Sequence, residues 1–367
     1  MSIQRVGIMT GGGDCPGLNP VIRAAVKTGI RRHGFEFVGI EDAFMGLIDL
    51  EYRSPHGNLS LDEESVDGIL TRGGTILGTS NRADPFAYAV ERGVEVAEED
   101  VSDRVMANFE KLGLDALISI GGDGSMKIAH RFVEKGLKVV GVPKTIDNDL
   151  SATDVTFGFN TAVHVATEAL DRIRDTAESH DRVMFVEVMG RHAGWIALHA
   201  GLAGGAHAIL MPEIPYRLEP LAELISRRRS DGYPFSVVVV AEGAKPAGGE
   251  AKALPKLPGA MPRLFGAAAR VADALSDLVD VDMRVTVLGH IQRGGSPSCY
   301  DRILATRFGH AAAQLTADGK FGKMVALRGP EVVSVPITEA IGKPNLVDPN
   351  GQEVEAARAL GVVFGDE

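Results

Sequence analysis

The chain alternates two kinds of hydrophobic pattern. Short runs of consecutive apolar residues, bounded by glycine, are followed by longer stretches whose apolar positions recur every three or four residues. The first such pair covers residues 6–9 and 19–33. A continuous run predicts a strand, and the periodic stretch predicts a helix. Further strands are predicted at residues 37–40, 116–120, 138–142, 183–188, 208–211, 237–241 and 285–288. None shows the alternation of a sheet with one wet face. Continuous apolar strands separated by helices indicate mainly parallel sheets covered on both faces, hence an α/β fold. A chain of 367 residues exceeds one compact core of ordinary size, so two domains sharing a cleft are expected. The polar, turn-rich residues 150–159 mark the first crossing between them, and the chain returns near residues 289–297. Residues 243–262, crowded with Gly, Pro, Ala and Lys, have no clear period and read as a surface insertion or mobile loop. No repeat of solenoid length is present, and beyond about residue 326 no motif can be interpreted.

Composition narrows the function. Hydrophobic residues at 45% and charged residues at 24% are ordinary globular values. The formal charge of −11 argues against a nucleic-acid partner, which needs a broad cationic surface. An anionic ligand must then be held by a local basic cluster. The opening MSIQRVGIMTGGG passes into glycine too soon for a signal peptide, and no apolar run approaches the roughly 18 residues of a membrane helix. A cytoplasmic protein, neither exported nor membrane-spanning, is expected. Cys15 and Cys299 form no CxxC pair and read as two free, reduced thiols.

Three short segments carry candidate chemistry. Gly11, Gly12 and Gly13 follow the first strand directly, and Asn19-Pro20 predicts a capped helix start. Glycines let backbone amides approach an anion, and the helix dipole adds attraction. The turn is neither GxGxxG nor a Walker loop, and alone it is equally compatible with a structural role. Gly121-Gly122-Asp123-Gly124-Ser125 repeats the arrangement after another strand and adds a carboxylate suited to Mg²⁺. A simple helix cap is the alternative for Asp123 and Ser125. In a doubly wound sheet, two such turns converge on one edge. At the end of a further strand, Thr145-Ile146-Asp147-Asn148-Asp149 places two carboxylates with one residue between them, as a base and a metal partner or as a plain Asn-Asp turn.

Taken together, GGGDCPGLN, GGDGS, PKTIDND, MGRHAGW, AEGAK and VLGHIQRGGSPSCYDR occur in the order and spacing of the phosphofructokinase family, which the chain resembles from about residue 3 to 315. The resemblance implies two Rossmann-like three-layer domains with the active site in the cleft between them. Residues 1–157 plus 292–342 would form a donor domain, and residues 158–291 plus 343–367 a sugar-phosphate domain. It further implies Asp147 as the base that takes the proton from the 1-hydroxyl of fructose 6-phosphate, with Thr145 and Asp149 beside it, and Asp123 as the Mg²⁺-associated aspartate. Gly12, Arg82, Gly122, Gly124 and Ser125 match donor-binding positions. Arg82 and Arg191 match arginines that steady the transferring phosphoryl group, whose equatorial oxygens carry the negative charge in flight. Met189, Gly190, Arg191, Glu242, His290 and Arg293 match the sugar-phosphate site. Arg182 and Arg284 are implied to reach the 6-phosphate from a neighbouring subunit of a homotetramer. The set Arg82, Lys144, Arg182, Arg191, Arg284 and Arg293 is expected to gather positive charge in one cleft.

The family divides between ATP and pyrophosphate as donor. Gly124 is the ATP-type residue, since a side chain there would crowd and repel the nucleotide, whereas Lys144 is of the pyrophosphate type. A missing side chain admits the larger donor and an added lysine does not exclude it, so ATP is expected, with pyrophosphate the alternative. Arg23, Lys27 and Arg174 match part of the family's effector site. His207 stands where a metal-associated glutamate is expected, and a basic segment is replaced by Lys245-Pro246-Ala247-Gly248-Gly249-Glu250. A weak or absent response to ADP is expected. NAD kinases and lipid kinases share a GGDG cluster but lack the PKTIDND and GHIQRGG segments. A non-catalytic sugar-phosphate-binding subunit would have no need to keep Asp123, Thr145, Asp147 and Arg191.

Overall fold

The computed structural model describes residues 3–53, 60–92, 95–250 and 266–367. Residues 251–262 of the expected insertion lie outside the described residues. Two separate sheets carry the fold. In the larger, the strands Ser60–Leu61, Glu36–Ile40, Arg5–Thr10, Ala116–Gly121, Val139–Thr145, Lys323–Arg328 and Glu331–Pro336 lie side by side in that order, and Phe157–Gly158 pairs with Val139–Thr145. All pairings are parallel except those of the two outermost strands. The smaller sheet runs Ala208–Leu210, Ser236–Ala241, Val183–Val188, Met283–Val287, entirely parallel.

Strands buried on both faces explain the unbroken apolar runs. Ile118 and Ile120 point into one core with the helix residues Leu18, Val21, Leu304 and Phe308, while Leu117 points into another with Val105, Phe109 and Phe132. In the second sheet Val186 and Val239 share the first of those cores with Leu170 and Ile196, and Phe185 and Val238 face a third core with Leu221 and Val271. The shared cluster is therefore the joint between the sheets. Each sheet is the middle of three layers, as the apolar patterning predicts.

The predicted helix over 19–33 is the α-helix Leu18–Thr28 continued by a π-turn over Gly29–His33. Asn19 is not its cap. That position is Gly17, at φ 112°, where a Cβ would lie 2.6 Å from the Phe157 ring. Asn19 instead donates its amide to the carbonyls of Arg72 and Gly73 at 3.0 and 3.2 Å and accepts from the Ile76 N–H at 2.9 Å. The hairpin Tyr88–Arg92 and Glu95–Glu99 has no apolar run to announce it. The two strands after residue 322 lie beyond the last strand expected from the patterning, although residues 324–327 form a continuous apolar run. After Glu331–Pro336 the chain crosses to the second sheet, where Val363 bridges Ala208 at its edge.

The long helices Leu18–Thr28 and Cys299–Ala317 pack closely over the first sheet, and Gly309 sets their separation. A Cβ there would meet the Val21 carbonyl at 2.4 Å and the Ala25 nitrogen at 2.9 Å, both backbone atoms that cannot swing aside. Gly309→Ala is expected to destabilise the fold by about 1–3 kcal/mol through overpacking. Scanning calorimetry reads this as a lowered melting temperature, and an unchanged one would show that the helices part freely.

Candidate active site

The strand order reverses beside Arg5–Thr10, whose neighbours are Glu36–Ile40 on one side and Ala116–Gly121 on the other. At such a switch point the loops leaving adjacent strands diverge and open a crevice at the carboxyl edge. The two glycine turns leave from Arg5–Thr10 and Ala116–Gly121. The Gly11 N–H donates to the Ile120 carbonyl at 2.9 Å, and a Cβ on Gly11 would stand 2.7 Å from Ser125 Oγ. Gly12, at φ 80°, is held from the outside: its N–H donates to the Ser80 carbonyl at 3.2 Å, and its carbonyl accepts from Thr79 Oγ1 at 2.6 Å. The second turn is the N-terminus of the helix Asp123–Glu134, with Gly122 as its cap and no side-chain cap bond from Asp123 or Ser125. Asp123 is partly exposed and pairs with Lys127 at 2.6 Å. A Cβ on Gly124 would meet nothing within 4 Å, so open space borders the helix start.

Lys144 and Arg293 close the turn from behind. Lys144 is 3% exposed and donates its ammonium to the Gly13 carbonyl. Burial, reinforced by the Arg293 charge, holds its pKa below the ordinary lysine value. Arg293 donates to the Asp14 carbonyl at 3.0 Å, and a Cβ on Gly13 would lie 2.8 Å from its guanidinium. Cys15, buried beneath the turn, has its thiol pushed up to about 12 by desolvation and stays protonated. Both cysteines are free thiols.

The next strand delivers the paired carboxylates. Asn148 sits between them in the left-handed region at φ 52°, a conformation asparagine tolerates better than most residues. Its Oδ1 accepts from the Thr156 N–H at 3.0 Å, and the Asp147 N–H donates to Thr145 Oγ1 at 3.1 Å. The bland reading of this segment as an Asn turn is therefore true of the backbone, and the turn serves to splay the two aspartates. Asp147 Oδ1 is sealed from solvent and has no hydrogen-bond partner among the described residues. Desolvation, then the neighbouring Asp149, raises its pKa to about 7. Arg293 and Arg191 oppose the rise, and Glu242 adds to it.

Those neighbours come from the second sheet, again at carboxyl edges. Met189, Gly190 and Arg191 follow Val183–Val188, Glu242 follows Ser236–Ala241, and His290 lies in the short helix Gly289–Arg293 after Met283–Val287. The Arg191 loop needs close backbone approach: a Cβ on Gly243 would fall 2.0 Å from the Arg191 carbonyl. Glu242 is also raised by desolvation, which the Arg191 charge offsets. His290 is exposed. Two residues that sequence reasoning passed over organise this edge. Buried Gln292 accepts from the Met189 N–H at 3.3 Å and donates to the Gly289 carbonyl at 3.0 Å. Buried Glu187 accepts from the Ala268 N–H at 2.9 Å. Gln292 lay inside a quoted motif, whereas nothing marked Glu187 within its strand.

Two of the expected cations are elsewhere in this chain. Arg182 and Arg284 both pair with Asp282, Arg182 at 2.7 Å, at the amino ends of their strands. A strand rises about 3.3 Å per residue, so the length of Val183–Val188 separates Arg182 from Arg191. The expected single cluster therefore comprises Lys144, Arg191 and Arg293, with Arg82 exposed on the wall of an adjoining cavity of about 360 Å³ shared with Asp42, Tyr52, Ser80 and Tyr88. The effector-type residues are also engaged within the chain. Lys27 pairs with Asp67, Arg23 donates to the Asp67 carbonyl at 3.3 Å, and Arg174 donates to the Gly205 carbonyl at 3.4 Å. His207 Nδ1 accepts from the Val237 N–H at 2.9 Å, and burial holds its pKa down to about 4, so it is neutral.

Among the described residues no group of three or more His, Cys, Asp or Glu is placed to hold a metal. Mg²⁺ binds through one or two carboxylates, with phosphate oxygens and waters completing its shell, and a lone accessible Asp123 beside open space fits that manner of binding. No helix among the described residues is long and apolar enough to cross a membrane.

Comparison with known proteins gives a consistent result. The family model for phosphofructokinase matches residues 5–316. The ATP-dependent 6-phosphofructokinase of Chloroflexus aggregans is 52% identical over 365 residues, covering 99% of this chain and 98% of that protein. The pyrophosphate–fructose 6-phosphate 1-phosphotransferase of Amycolatopsis methanolica is 51% identical, covering 95% and 98%. A phosphofructokinase structure from Saccharomyces cerevisiae matches 92% of this chain with a TM-score of 0.75 at 32% identity, and this chain spans 45% of that one.

A carboxylate whose pKa is raised in the folded state destabilises it once pH exceeds the unfolded value, because the native state then holds a proton that the unfolded state has released. For Asp147 the interval runs from 3.8 to about 7. Asp147→Asn is therefore expected to melt at a higher temperature than the parent at pH 8, with the difference vanishing near pH 4. Equal melting temperatures at both pH values would show that the carboxyl is well solvated.

Proposed function

The chain belongs to the phosphofructokinase family, and from that premise we propose that it transfers the terminal phosphoryl group of ATP to the 1-hydroxyl of fructose 6-phosphate, the glycolytic reaction yielding fructose 1,6-bisphosphate and ADP. The observation that carries this reading is Asp147: a desolvated carboxyl poised near neutrality, with Lys144, Arg191 and Arg293 around it, where the carboxyl edges of two sheets meet. A general base works best with a pKa near the operating pH.

In this reading the two glycine turns present backbone amides to the donor's phosphates, and Arg82, Lys144 and Arg191 supply the cations that a loose phosphoryl transition state requires. Asp123 holds Mg²⁺, which when bound neutralises donor phosphate charge. Met189, Gly190, Arg191, Glu242, His290 and Arg293 bind the sugar phosphate, with the Glu242 carboxylate accepting from sugar hydroxyls. Thr145 fixes the backbone of Asp147, and Asp149 raises its basicity by like charge. Asp147 accepts the 1-hydroxyl proton as the oxygen attacks. Residues 1–157 plus 292–342 serve as the donor domain and residues 158–291 plus 343–367 as the sugar-phosphate domain.

Three observations favour ATP. Gly124 leaves space that an aspartate would fill, the adjoining cavity of about 360 Å³ suits the remainder of a nucleotide, and a 52% identical relative carries an ATP-dependent name. Pyrophosphate is the second reading, favoured by Lys144 and by the name of the 51% identical Amycolatopsis relative. Arg182 and Arg284, remote from their own cleft, serve a neighbouring subunit, and the exposed Val285 and Val287 on the same edge strand favour a homo-oligomer, a tetramer by family habit. We place the enzyme in the cytoplasm.

A coupled assay with fructose 6-phosphate, Mg²⁺ and each donor in turn is expected to show turnover with ATP, and activity confined to pyrophosphate would reverse the assignment. Asp147→Asn should lower kcat by roughly 10² to 10⁴, and kcat/KM of the parent should rise with pH through about 7 as that carboxyl loses its proton. A flat profile would remove Asp147 from the chemistry. ADP is expected to leave the rate at subsaturating fructose 6-phosphate unchanged or nearly so, since a neutral His207 stands where the family has a metal-associated glutamate and residues 245–250 replace its basic segment; clear activation would refute this.

A further inference from the structure

The tail after residue 342, where no motif was legible, makes the most direct connection between the base-bearing turn and the sugar-binding segment. Asn345 uses three of its polar groups at once. Its side-chain amide donates to the Asn148 carbonyl at 2.9 Å, and its backbone N–H donates to the Asp149 carbonyl at 2.9 Å. Its own carbonyl accepts from the Trp195 indole N–H at 2.9 Å. Asn148 and Asp149 follow Asp147 in the turn, and Trp195 lies four residues after Arg191 in the MGRHAGW motif. One residue thus touches both sheets' contributions to the cleft.

The contact is braced on each side. Ser151 Oγ donates to the Lys343 carbonyl. On the other side Glu213 accepts from the Val347 N–H at 3.0 Å and from the Gly194 N–H at 2.9 Å, so one half-buried carboxylate ties the tail to the residue before Trp195. Val347 is itself buried in the core shared by the two sheets. The left-handed Asn148 makes the turn a place where an external tie matters. Its carbonyl would otherwise have no strand partner to fix it, and rotation of that peptide would swing Asp147 and Asp149 relative to the arginines.

We propose that Asn345 is a positioning residue for phosphoryl transfer, the centre of a strap over residues 343–347 that fixes the distance between the Asp147 turn and the Arg191–Trp195 segment. The proposal rests on the function assigned above. A displacement of about 1 Å between reacting groups can cost on the order of 10² in rate, so the strap's effect falls on turnover and leaves donor binding untouched, because the glycine turns lie outside it.

The test compares Asn345→Ala with the parent enzyme in steady-state kinetics, thermal melting and amide hydrogen exchange, using whichever donor the parent accepts. The expected result is a kcat lower by about 10- to 100-fold, a donor KM within about twofold of the parent, and faster exchange at both 147–149 and 194–196. Trp195→Phe, which removes the indole N–H together with part of the ring that packs against His199, should shift the same quantities in the same direction. In the double variant the two losses should fall short of additive, as expected for groups in one network. A folded Asn345→Ala enzyme with parental kcat, or exchange quickened in the tail alone, would overturn the proposal. A parent that phosphorylates fructose 6-phosphate with neither donor would sink the assigned function, while the exchange data would still decide whether the strap couples the two segments.

Discussion

The site depends on one electrostatic constraint: a carboxyl withdrawn from water must be surrounded by enough positive charge to remain usable. Asp147 without cations would be locked in its neutral form, since desolvation penalises the anion. With unopposed cations it would be a strong acid and a poor base. The structure sets Asp149 and Glu242 against Arg293 and Arg191, and the balance leaves the pKa raised to about 7. On a chain of net charge −11, Lys144, Arg191 and Arg293 are gathered against these carboxylates where the carboxyl edges of the two sheets face each other.

That meeting is made possible by missing side chains. Gly11 must let Ser125 approach, Gly13 must admit the Arg293 guanidinium, and Gly243 must lie against the Arg191 carbonyl. At Gly243 a methyl group would force backbone from backbone, whereas at Gly11 and Gly13 it would push the Ser125 hydroxyl and the Arg293 guanidinium out of place. The glycines therefore act in two ways, as amide donors on the donor side and as spacers that bring cations from the second sheet into the first. The topology supplies the crevice, and the glycines set how tightly it closes.

The parts of this arrangement that were legible in the sequence are those with a local signature. Buried parallel strands announce themselves because both faces are apolar, so Val183–Val188 was read with its observed bounds. The hairpin Tyr88–Arg92 with Glu95–Glu99 was not, because charged residues break up its apolar positions. Asn19 carried the right residue type for a cap and was used elsewhere, since Gly17 alone fits against Phe157. Glu187 and Asn345 were invisible for a different reason. Their partners lie far along the chain, Gly266 and Ala268 for Glu187, Asn148 and Trp195 for Asn345, and no spacing rule connects them. Motif resemblance gathered the cleft's residues and assigned Arg182 and Arg284 to a neighbouring subunit, but it gave no sign that within this chain both pair with Asp282 at the opposite end of the second sheet.

The two positions that bear on donor choice seemed opposed in the sequence, and their placement explains why they need not be. Lys144 is buried behind the first glycine turn with its ammonium on the Gly13 carbonyl, so part of its charge is already engaged in holding the turn. Gly124 borders open space at the start of the helix Asp123–Glu134. A lysine behind the cradle adds attraction for any phosphate, whereas a side chain at the helix start would act on whatever extends beyond the transferred and adjacent phosphates. Attraction common to both donors cannot discriminate between them, because specificity is a difference of affinities. The discriminating term is the one that acts on the part only ATP possesses, and in the proposed reading the open space beside Gly124 is what leaves that part unopposed.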